Sequence, residues 1–427
     1  MSYTIKHVNV KGLWGVKSFD TSFHRNINIL IGQNGSNKTT FLNLIEACLM
    51  ADLRTLQRIQ FDTIQFLLEN DNEDRKTIIV NRTHEDNWIV FIYTIDDETV
   101  EIRTFDDIED HRYHMGMPGI MREKYFQIRA LLENILNMSW LSVDRYTEND
   151  DDRRGVKSVV EKKLIELIQE LSVYRLRLFE GTNKFTRELN TEVLSLLLYD
   201  DKTDNFDIGD IERFASLDPR EIKGSLYRVF NQMGNMRQMS DRIQNHIAKL
   251  SEAIDRVKAR VGLKLNDVSA LVLISKTLSM IDLSKKHKEA VDQLMEPIDT
   301  YRNILQTFIK DKEFNFSEES GQLEVEWMSN SKNKKGNSSK LRYNNLSSGE
   351  KQLLILLTQT LLQEKQSYIF VADEPELSLH IEWQRTIVGA INALNPNAQV
   401  IVATHSPEIA GQWPMNIIKM ESITKYE

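Results

Sequence analysis

A glycine-rich segment between an apolar strand pattern and a helical pattern is the first candidate for chemistry in this chain. Ile27, Leu30 and Ile31 precede the segment as a buried strand would, and a helical run with one apolar side follows it. The segment, GQNGSNKT from Gly32 to Thr39, matches the spacing G-x-x-x-x-G-K-[ST] except that Asn37 replaces the second glycine. A loop of this kind binds nucleotide phosphates through backbone N–H groups and the positive end of the following helix.

The side chains of this loop have separate expected roles. Lys38 is expected to reach the β- and γ-phosphates, and the Thr39 hydroxyl to ligate Mg²⁺. Asparagine tolerates left-handed backbone angles better than other non-glycine residues, so Asn37 preserves the loop, although its side chain could weaken binding or slow turnover. The candidate nucleotide-binding residues here are Gly32, Asn34, Gly35, Ser36, Asn37, Lys38, Thr39 and Thr40.

Two further apolar runs end in polar residues that suit phosphate chemistry. YIFVA leads into Asp373 and Glu374, and VIVAT leads into His405. Two carboxylates at the carboxyl end of a parallel strand suit Mg²⁺ and water. We therefore expect Asp373 to support the metal, and Glu374 to orient or deprotonate an attacking water. His405 in isolation would more often be an ordinary polar residue.

A fourth segment, LSSGEK, precedes an apolar helix. Ser347 or Ser348 suits the N-cap position, and Glu350 lies near the first turn, so the segment read alone is also an ordinary helix cap.

Composition restricts the class of protein. The chain has 427 residues, a net charge of −9, 41% hydrophobic residues and a single cysteine, Cys48. Its length suggests two or three domains. No apolar run reaches the roughly 18 residues of a membrane span, and the N-terminus lacks a signal-peptide core. We expect a cytoplasmic protein without a membrane partner, a disulfide or a Cys-x-x-Cys zinc site.

The patterns predict an α/β head interrupted by helices. Residues 1–146 contain the strands and the phosphate loop, with a helix running from the loop to about Leu68 and antiparallel strands over 76–103. Residues 147–312 are predicted to be helical, in segments too interrupted for a long coiled-coil arm. We expect this helical insert to serve oligomerisation or partner binding. Residues 313–427 return to strands, with a hairpin around 318–321. Trp14 is expected to pack in the core, or otherwise near a bound base.

Five segments resemble, in the family's order, motifs of ABC-type ATPases. They are Gly32–Thr39 for Walker A, Leu346–Gln352 for the signature, Asp373 and Glu374 for Walker B, Leu377–His380 for the D-loop and Thr404–Ser406 for the H-loop. The variety is SMC-like, and the string DEPE-x-SLH, which contains Ser378, is most similar to the OLD-like AAA family ATPases. The resemblance covers about 1–145 and 313–420. It implies an ABC-type head, with a mixed sheet plus an antiparallel β subdomain, and a helical or short coiled-coil insert.

The resemblance also implies residue roles and a dimer. Lys38, Glu374 and His405 would be catalytic, with Glu374 as the base and His405 sensing the γ-phosphate, while Thr39 and Asp373 would hold Mg²⁺. The signature residues and Ser378 would complete the site of a second head, so that two heads enclose two ATP molecules. The Q-loop glutamine has no clear counterpart, because Gln127 is a poor match and the segment around Asp144 and Arg145 could take its position. The residues implied at this dimer interface are Ser347, Ser348, Gly349 and Ser378.

The expected class of partner follows from an activity for which the sequence shows no segment, that of a nuclease. No nuclease segment follows His405, so any nuclease is expected on another polypeptide. Chains of this kind resemble the ATPase subunits of two-component anti-phage systems, such as PtuA of Septu and AriA of PARIS. The expected partners are the chain itself, as a homodimer or higher homo-oligomer, and a separate effector, a nuclease or toxin. Two alternatives remain: a RecF-like repair ATPase that binds DNA, to which the lysines between Lys332 and Arg342 could contribute, and a low-turnover nucleotide-held scaffold.

Overall fold

A computed structural model describes residues 3–105, 119–136, 138–142, 159–196, 198, 216–232, 236–259, 265–317, 320–327 and 340–426. The chain divides into two compact units. One comprises Met1–Tyr174 and Pro297–Glu427, and the other comprises Arg175–Glu296. The division predicted at 146 and 312, and the assembly role of the segment between them, stay predictions.

The strands of the described residues form three sheets. A seven-stranded antiparallel sheet has the order β15-β2-β1-β4-β5-β6-β7, a small antiparallel sheet the order β11-β10-β9, and a parallel sheet the order β14-β3-β13-β12-β8. Each sheet is therefore either wholly parallel or wholly antiparallel, and the head combines both kinds, as suits an α/β head. The strands are β1 Thr4–Leu13, β2 Lys17–Ser22, β3 Ile27–Ile31, β4 Thr63–Glu69, β5 Arg75–Glu85, β6 Trp88–Ile95, β7 Glu98–Phe105, β8 Met138–Ser142, β9 Lys312–Phe316, β10 Leu323–Trp327, β11 Lys340–Leu341, β12 Ile369–Asp373, β13 Gln399–Ala403, β14 Ile417–Lys419 and β15 Thr424–Tyr426.

The described helices differ widely in length. The 37-residue α4 and the 44-residue α7 are longer and more continuous than the interrupted patterns predicted, and Pro297 lies inside α7. The helices are α1 Lys38–Leu49, α2 Leu53–Arg58, α3 Gly119–Ile135, α4 Val159–Ser195, α5 Pro219–Gln232, α6 Met236–Lys258, α7 Leu265–Phe308, α8 Ser348–Leu361, α9 Ile381–Leu394, α10 Pro407–Gln412 and α11 Met420–Ile423.

The parallel sheet sets the position of the candidate site. β12 and β13 are buried along their whole length, which explains their continuous apolar sequences. β3 pairs with β13, and β13 pairs with β12, so the carboxyl ends of these three strands lie side by side. The phosphate loop, the two carboxylates and His405 follow those ends directly.

The antiparallel sheet confirms the strands predicted over 76–103. Glu85 pairs with Trp88 and Ile95 with Glu98, so both turns contain two residues. The hairpin around 318–321 is confirmed as well, because β9 and β10 are antiparallel neighbours.

The helix predicted to reach Leu68 is wrong. α1 ends at Leu49, and Asp52 caps the short α2 by accepting a hydrogen bond from the Thr55 amide. The remainder of that stretch is β4, whose alternating Ile64, Phe66 and Leu68 are buried between β1 and β5.

Candidate functional site

The loop between β3 and α1 has the backbone geometry of a phosphate-binding loop. Asn37 precedes α1 with φ 68° and ψ 26°, and Gly35 has φ 80°. Asn37 is thus left-handed, and its Oδ1 accepts a 2.9 Å hydrogen bond from Lys17 Nζ. Gly32 is required for space, because a Cβ there would lie 2.7 Å from Ser36 Oγ. The loop keeps its form without the second glycine.

The polar groups around this loop differ in exposure. Asn34, Gly35 and Thr39 are exposed, and Thr40 is half-buried. Ser36 Oγ is buried and has no hydrogen-bond partner among the described residues. Exposed backbone at the start of α1 leaves the positive end of the helix open to an anion.

Lys38 connects the phosphate loop to the end of β13. Its Nζ donates to Gly32 O at 2.9 Å and lies 2.8 Å from His405 Nε2. Burial lowers the Lys38 pKa, and the carboxylates of Glu374 and Asp373 offset part of that effect. In this arrangement the ammonium group is held in the loop, within reach of the other candidate catalytic residues.

The two carboxylates follow one another at the end of β12. Asp373 is only 6% exposed, and the backbone of Glu374 is left-handed with φ 47°. The Glu374 amide donates to Ala403 O at 2.8 Å, and Glu374 Oε1 lies 3.7 Å from His405 Nε2. A non-glycine residue in this backbone region is strained, and such strain clusters at functional sites.

The loop after β13 is fixed by a glutamate to which the sequence patterns assigned no role. Glu376 Oε1 accepts hydrogen bonds from the Thr404 hydroxyl, from the His405 amide at 2.9 Å and from the Ser406 amide at 3.1 Å. Its place in the DEPE string was visible, but its target lies 28 residues further along the chain. Only the adjacent ends of β12 and β13 bring the two together.

The signature segment forms both the helix cap and a contact with the D-loop segment. The Ser347 side chain accepts from the Glu350 amide, and the Glu350 carboxylate accepts from the Ser347 amide, which is a complete capping box. Ser347 and Ser348 are exposed. Gly349 packs against Ser378 of the same chain, because a Cβ on Gly349 would lie 2.4 Å from Ser378 O.

A cavity of about 610 Å³ lies beside the phosphate loop, lined partly by Gly32, His405 and Ser406. Glu421, near the end of the chain, also lines it and accepts a 3.0 Å hydrogen bond from the Gln33 amide. That hydrogen bond lowers the Glu421 pKa. An open crevice at the carboxyl ends of parallel strands is where α/β folds bind ligands.

Other predictions have mixed outcomes. Trp14 is 43% exposed, so the expectation of core packing is wrong, because the turn between β1 and β2 projects it outward. Gln127 is exposed on α3. The segment at Asp144 and Arg145 and the lysines from Lys332 to Lys335 lie outside the described residues.

The donor set fits ATP with Mg²⁺. A threonine hydroxyl and a carboxylate, here Thr39 and Asp373, are the oxygen ligands that Mg²⁺ prefers. The loop backbone and Lys38 supply phosphate donors. Among the described residues, no group of three or more His, Cys, Asp or Glu side chains could hold another metal. Across the described helices, none combines the length and apolarity needed to cross a bilayer.

Several known proteins are similar to this chain in sequence or in structure. The chain is 23% identical over 420 residues to the Retron Vc95 probable ATPase of Vibrio cholerae serotype O1 biovar El Tor, covering 91% of this chain and 67% of that protein. The Smc head domain of Pyrococcus furiosus, solved with an extended coiled coil and bound to the C-terminal domain of ScpA, has a TM-score of 0.45 and 14% identity, covering 100% of this chain and 96% of that one. The Smc head of Pyrococcus yayanosii, solved with a coiled coil and joint, has a TM-score of 0.45 and 15% identity, covering 100% and 97%.

A family model matches residues 27–411, which contain the phosphate loop, both carboxylates and His405. The chain therefore belongs to the family described as AAA domain, putative AbiEii toxin, Type IV TA system.

Proposed function

We propose that this chain binds ATP with Mg²⁺ at the carboxyl ends of β3, β12 and β13, and hydrolyses it. The observation that supports this most directly is the convergence of Lys38, Glu374 and His405 from three strand ends. Lys38 Nζ lies 2.8 Å from His405 Nε2, which lies 3.7 Å from Glu374 Oε1. A cation, a base and a polar sensor at one strand edge suit phosphoryl transfer, in which catalysis is mostly positioning and charge stabilisation.

Each residue has one task in this proposal. The loop backbone binds the phosphates, and Lys38 turns from Gly32 O towards the β- and γ-phosphates. Thr39 and Asp373 would hold Mg²⁺, which would supply positive charge near the phosphate oxygens. Glu374 accepts the proton of the attacking water, and His405 contacts the γ-phosphate.

We further propose that two heads dimerise around ATP. Ser347 and Ser348 are exposed at the N-terminal end of α8, where backbone N–H groups favour an anion. Two apolar side chains beside the exposed Ser378 are also open to solvent, Leu377 at 37% and Ile381 at 53%. Exposed apolar side chains around a polar residue such as Ser378 are typical of a surface that a second head would cover.

The biological role that we propose is the control of a separate effector, a nuclease or toxin, in defence against phage. The similarity to a protein described as a retron probable ATPase supports a defence setting. The described helices α4–α7 offer a surface for higher assembly or for the effector. In this proposal, ATP holds the assembly that restrains or releases the effector, and hydrolysis resets it.

Mass and ATP turnover, measured together, test the ATPase proposal. Light scattering gives the mass with and without MgATP, and phosphate release gives the turnover. Glu374→Gln should retain ATP-dependent dimers and lose turnover. Glu98→Gln is the matched control, because Glu98 is exposed on β7 and lies outside the proposed site and the proposed dimer surface, and it should behave as the wild type.

Two results would count against parts of this proposal. A wild-type chain that stays monomeric at saturating ATP would exclude the enclosed-nucleotide dimer. A wild-type chain that assembles with ATP but turns over no faster than Glu374→Gln would instead indicate a nucleotide-held scaffold.

A further inference from the structure

We propose that Glu376 is a positioning residue that fixes His405 for ATP hydrolysis. The carboxylate is 8% exposed, and one of its oxygens accepts hydrogen bonds from three consecutive residues, Thr404, His405 and Ser406. Two of the donors are backbone amides, including the amide of His405 itself. Because three hydrogen bonds from consecutive residues converge on one buried oxygen, this side chain determines where the His405 backbone lies.

The place of the His405 ring matters because it contacts two groups with different tasks. Its Nε2 lies 2.8 Å from Lys38 Nζ and 3.7 Å from Glu374 Oε1. A displacement of about 1 Å in a catalytic group can cost about a hundredfold in rate. Because Glu376 lies behind His405 and bonds its backbone, it acts through His405.

A second side chain links the same two segments. Gln384, on α9, accepts a 2.8 Å hydrogen bond from the Ser406 hydroxyl through Oε1 and donates a 3.1 Å hydrogen bond to Leu379 O through Nε2. Glu376 and Gln384 together tie the segment after β12 to the loop after β13. The segment after β12 also carries Ser378.

This link gives the positioning role a consequence for the proposed dimer. Ser378 and Glu376 are two residues apart on one short segment. A second head that displaces Ser378 would therefore displace Glu376, and with it the loop of His405. This part rests on the proposed ATP-dependent dimer, whereas the fixing of His405 by Glu376 does not.

A double-mutant cycle on turnover tests the role. Glu376→Ala should lower kcat at least tenfold while the Kd for ATP stays within about threefold. Glu376→Gln keeps an oxygen acceptor for the three donors and should retain most of the turnover. In a His405→Ala background, Glu376→Ala should change kcat less than twofold, because a residue that acts through His405 has nothing left to position. Glu98→Ala, on the exposed part of β7, is the surface control.

Two outcomes of the cycle would overturn the proposal. One is a Glu376→Ala kcat within twofold of wild type. The other is an equal fall in kcat with and without His405, which is what general loss of structure would cause. If Glu376→Ala does not fold, Thr404→Val removes one donor with little change of shape, and Thr404→Ser keeps the hydroxyl. Thr404→Val should then lower kcat and Thr404→Ser should not, and equal kcat values would overturn the role.

A readout without turnover separates this proposal from the proposed ATPase function. The imidazole ¹⁵N signals of His405 in the nucleotide-free chain are identified by their absence in His405→Gln. Glu376→Ala should shift or broaden these signals, and Glu376→Gln should leave them near their wild-type positions. If the signals are unchanged in Glu376→Ala, Glu376 does not position His405. If they change but the wild type hydrolyses no ATP, the proposed function fails and the positioning stands.

Discussion

The buried ion pair between Lys312 and Glu350, which lies in the first turn of α8, allows a prediction of how much free energy of unfolding one substitution removes. Lys312 Nζ lies 2.6 Å from Glu350 Oε1, and the side chains of the pair are 6% and 11% exposed. The other Glu350 oxygen accepts from the Ser347 amide at 2.8 Å, so one carboxylate serves both the ion pair and the cap. Burial alone would lower the Lys312 pKa, but hydrogen bonds to Glu350 and Asp311 outweigh it and raise that pKa.

Replacing Lys312 with methionine retains most of the packing and removes the charge. The variant leaves the Glu350 carboxylate buried without its cation, and breaking a buried pair in this way costs about 3–5 kcal/mol. Because Glu350 keeps the hydrogen bond from the Ser347 amide, we expect a loss of unfolding free energy at the lower end of this range, about 3 kcal/mol. In the double variant Lys312→Met, Glu350→Gln no charge is stranded, so the loss should be less than the sum of the single losses.

Urea unfolding followed by tryptophan fluorescence measures this loss. Trp327 is a useful reporter, because Lys312 Nζ lies 4.6 Å from its ring centroid. Lys310→Met is the control, since Lys310 is exposed two residues away. A Lys312→Met loss below about 0.5 kcal/mol, typical of surface substitutions, would refute the reasoning. So would a double variant whose loss equals the sum of the two single losses.

Three further predictions concern the phosphate loop and the signature helix. Asn37→Val should weaken ATP binding in titration calorimetry, because a β-branched residue at φ 68° costs about 1–2 kcal/mol, whereas Asn37→Gly should bind as well as wild type; equal affinities would contradict this. Gly349→Ala should lower the free energy of unfolding by about 1–3 kcal/mol in urea, since its Cβ would lie 2.4 Å from Ser378 O, and an unchanged midpoint would show that the helix can shift. Tyr301→Phe should cost about 1 kcal/mol in thermal unfolding, because it removes a buried 2.7 Å hydrogen bond to Thr358, and a wild-type melting temperature would count against that bond.

The local sequence was sufficient to predict the backbone conformation wherever neighbouring residues determine it. Asn37 was expected to be left-handed from its type and position, and the structure has φ 68° there. The antiparallel strands over 76–103 were expected from their alternating residues, and the structure joins them by two-residue turns. In such cases the competing conformations differ over a few residues, and turn chemistry decides among them.

Local sequence misled where burial decided between helix and strand. Ile64, Phe66 and Leu68 continue an apolar pattern that follows a helix, but they alternate on one face of a central strand. Partners on β1 and β5 outweigh the local preference, because strand propensity depends mainly on packing against neighbours. Trp14 is the reverse case, an aromatic residue that the turn leaves exposed.

The sequence by itself determined the α/β class, the strand–loop–helix context of Lys38, and the strands that end in Asp373 and His405. These follow from residue spacing, which a chain shows before it folds. Only the tertiary structure decided that Glu376 holds the loop of His405 and that Lys312 neutralises Glu350. These are contacts of single atoms across distant segments, and they exist only because the packed sheet and its helices bring those segments together.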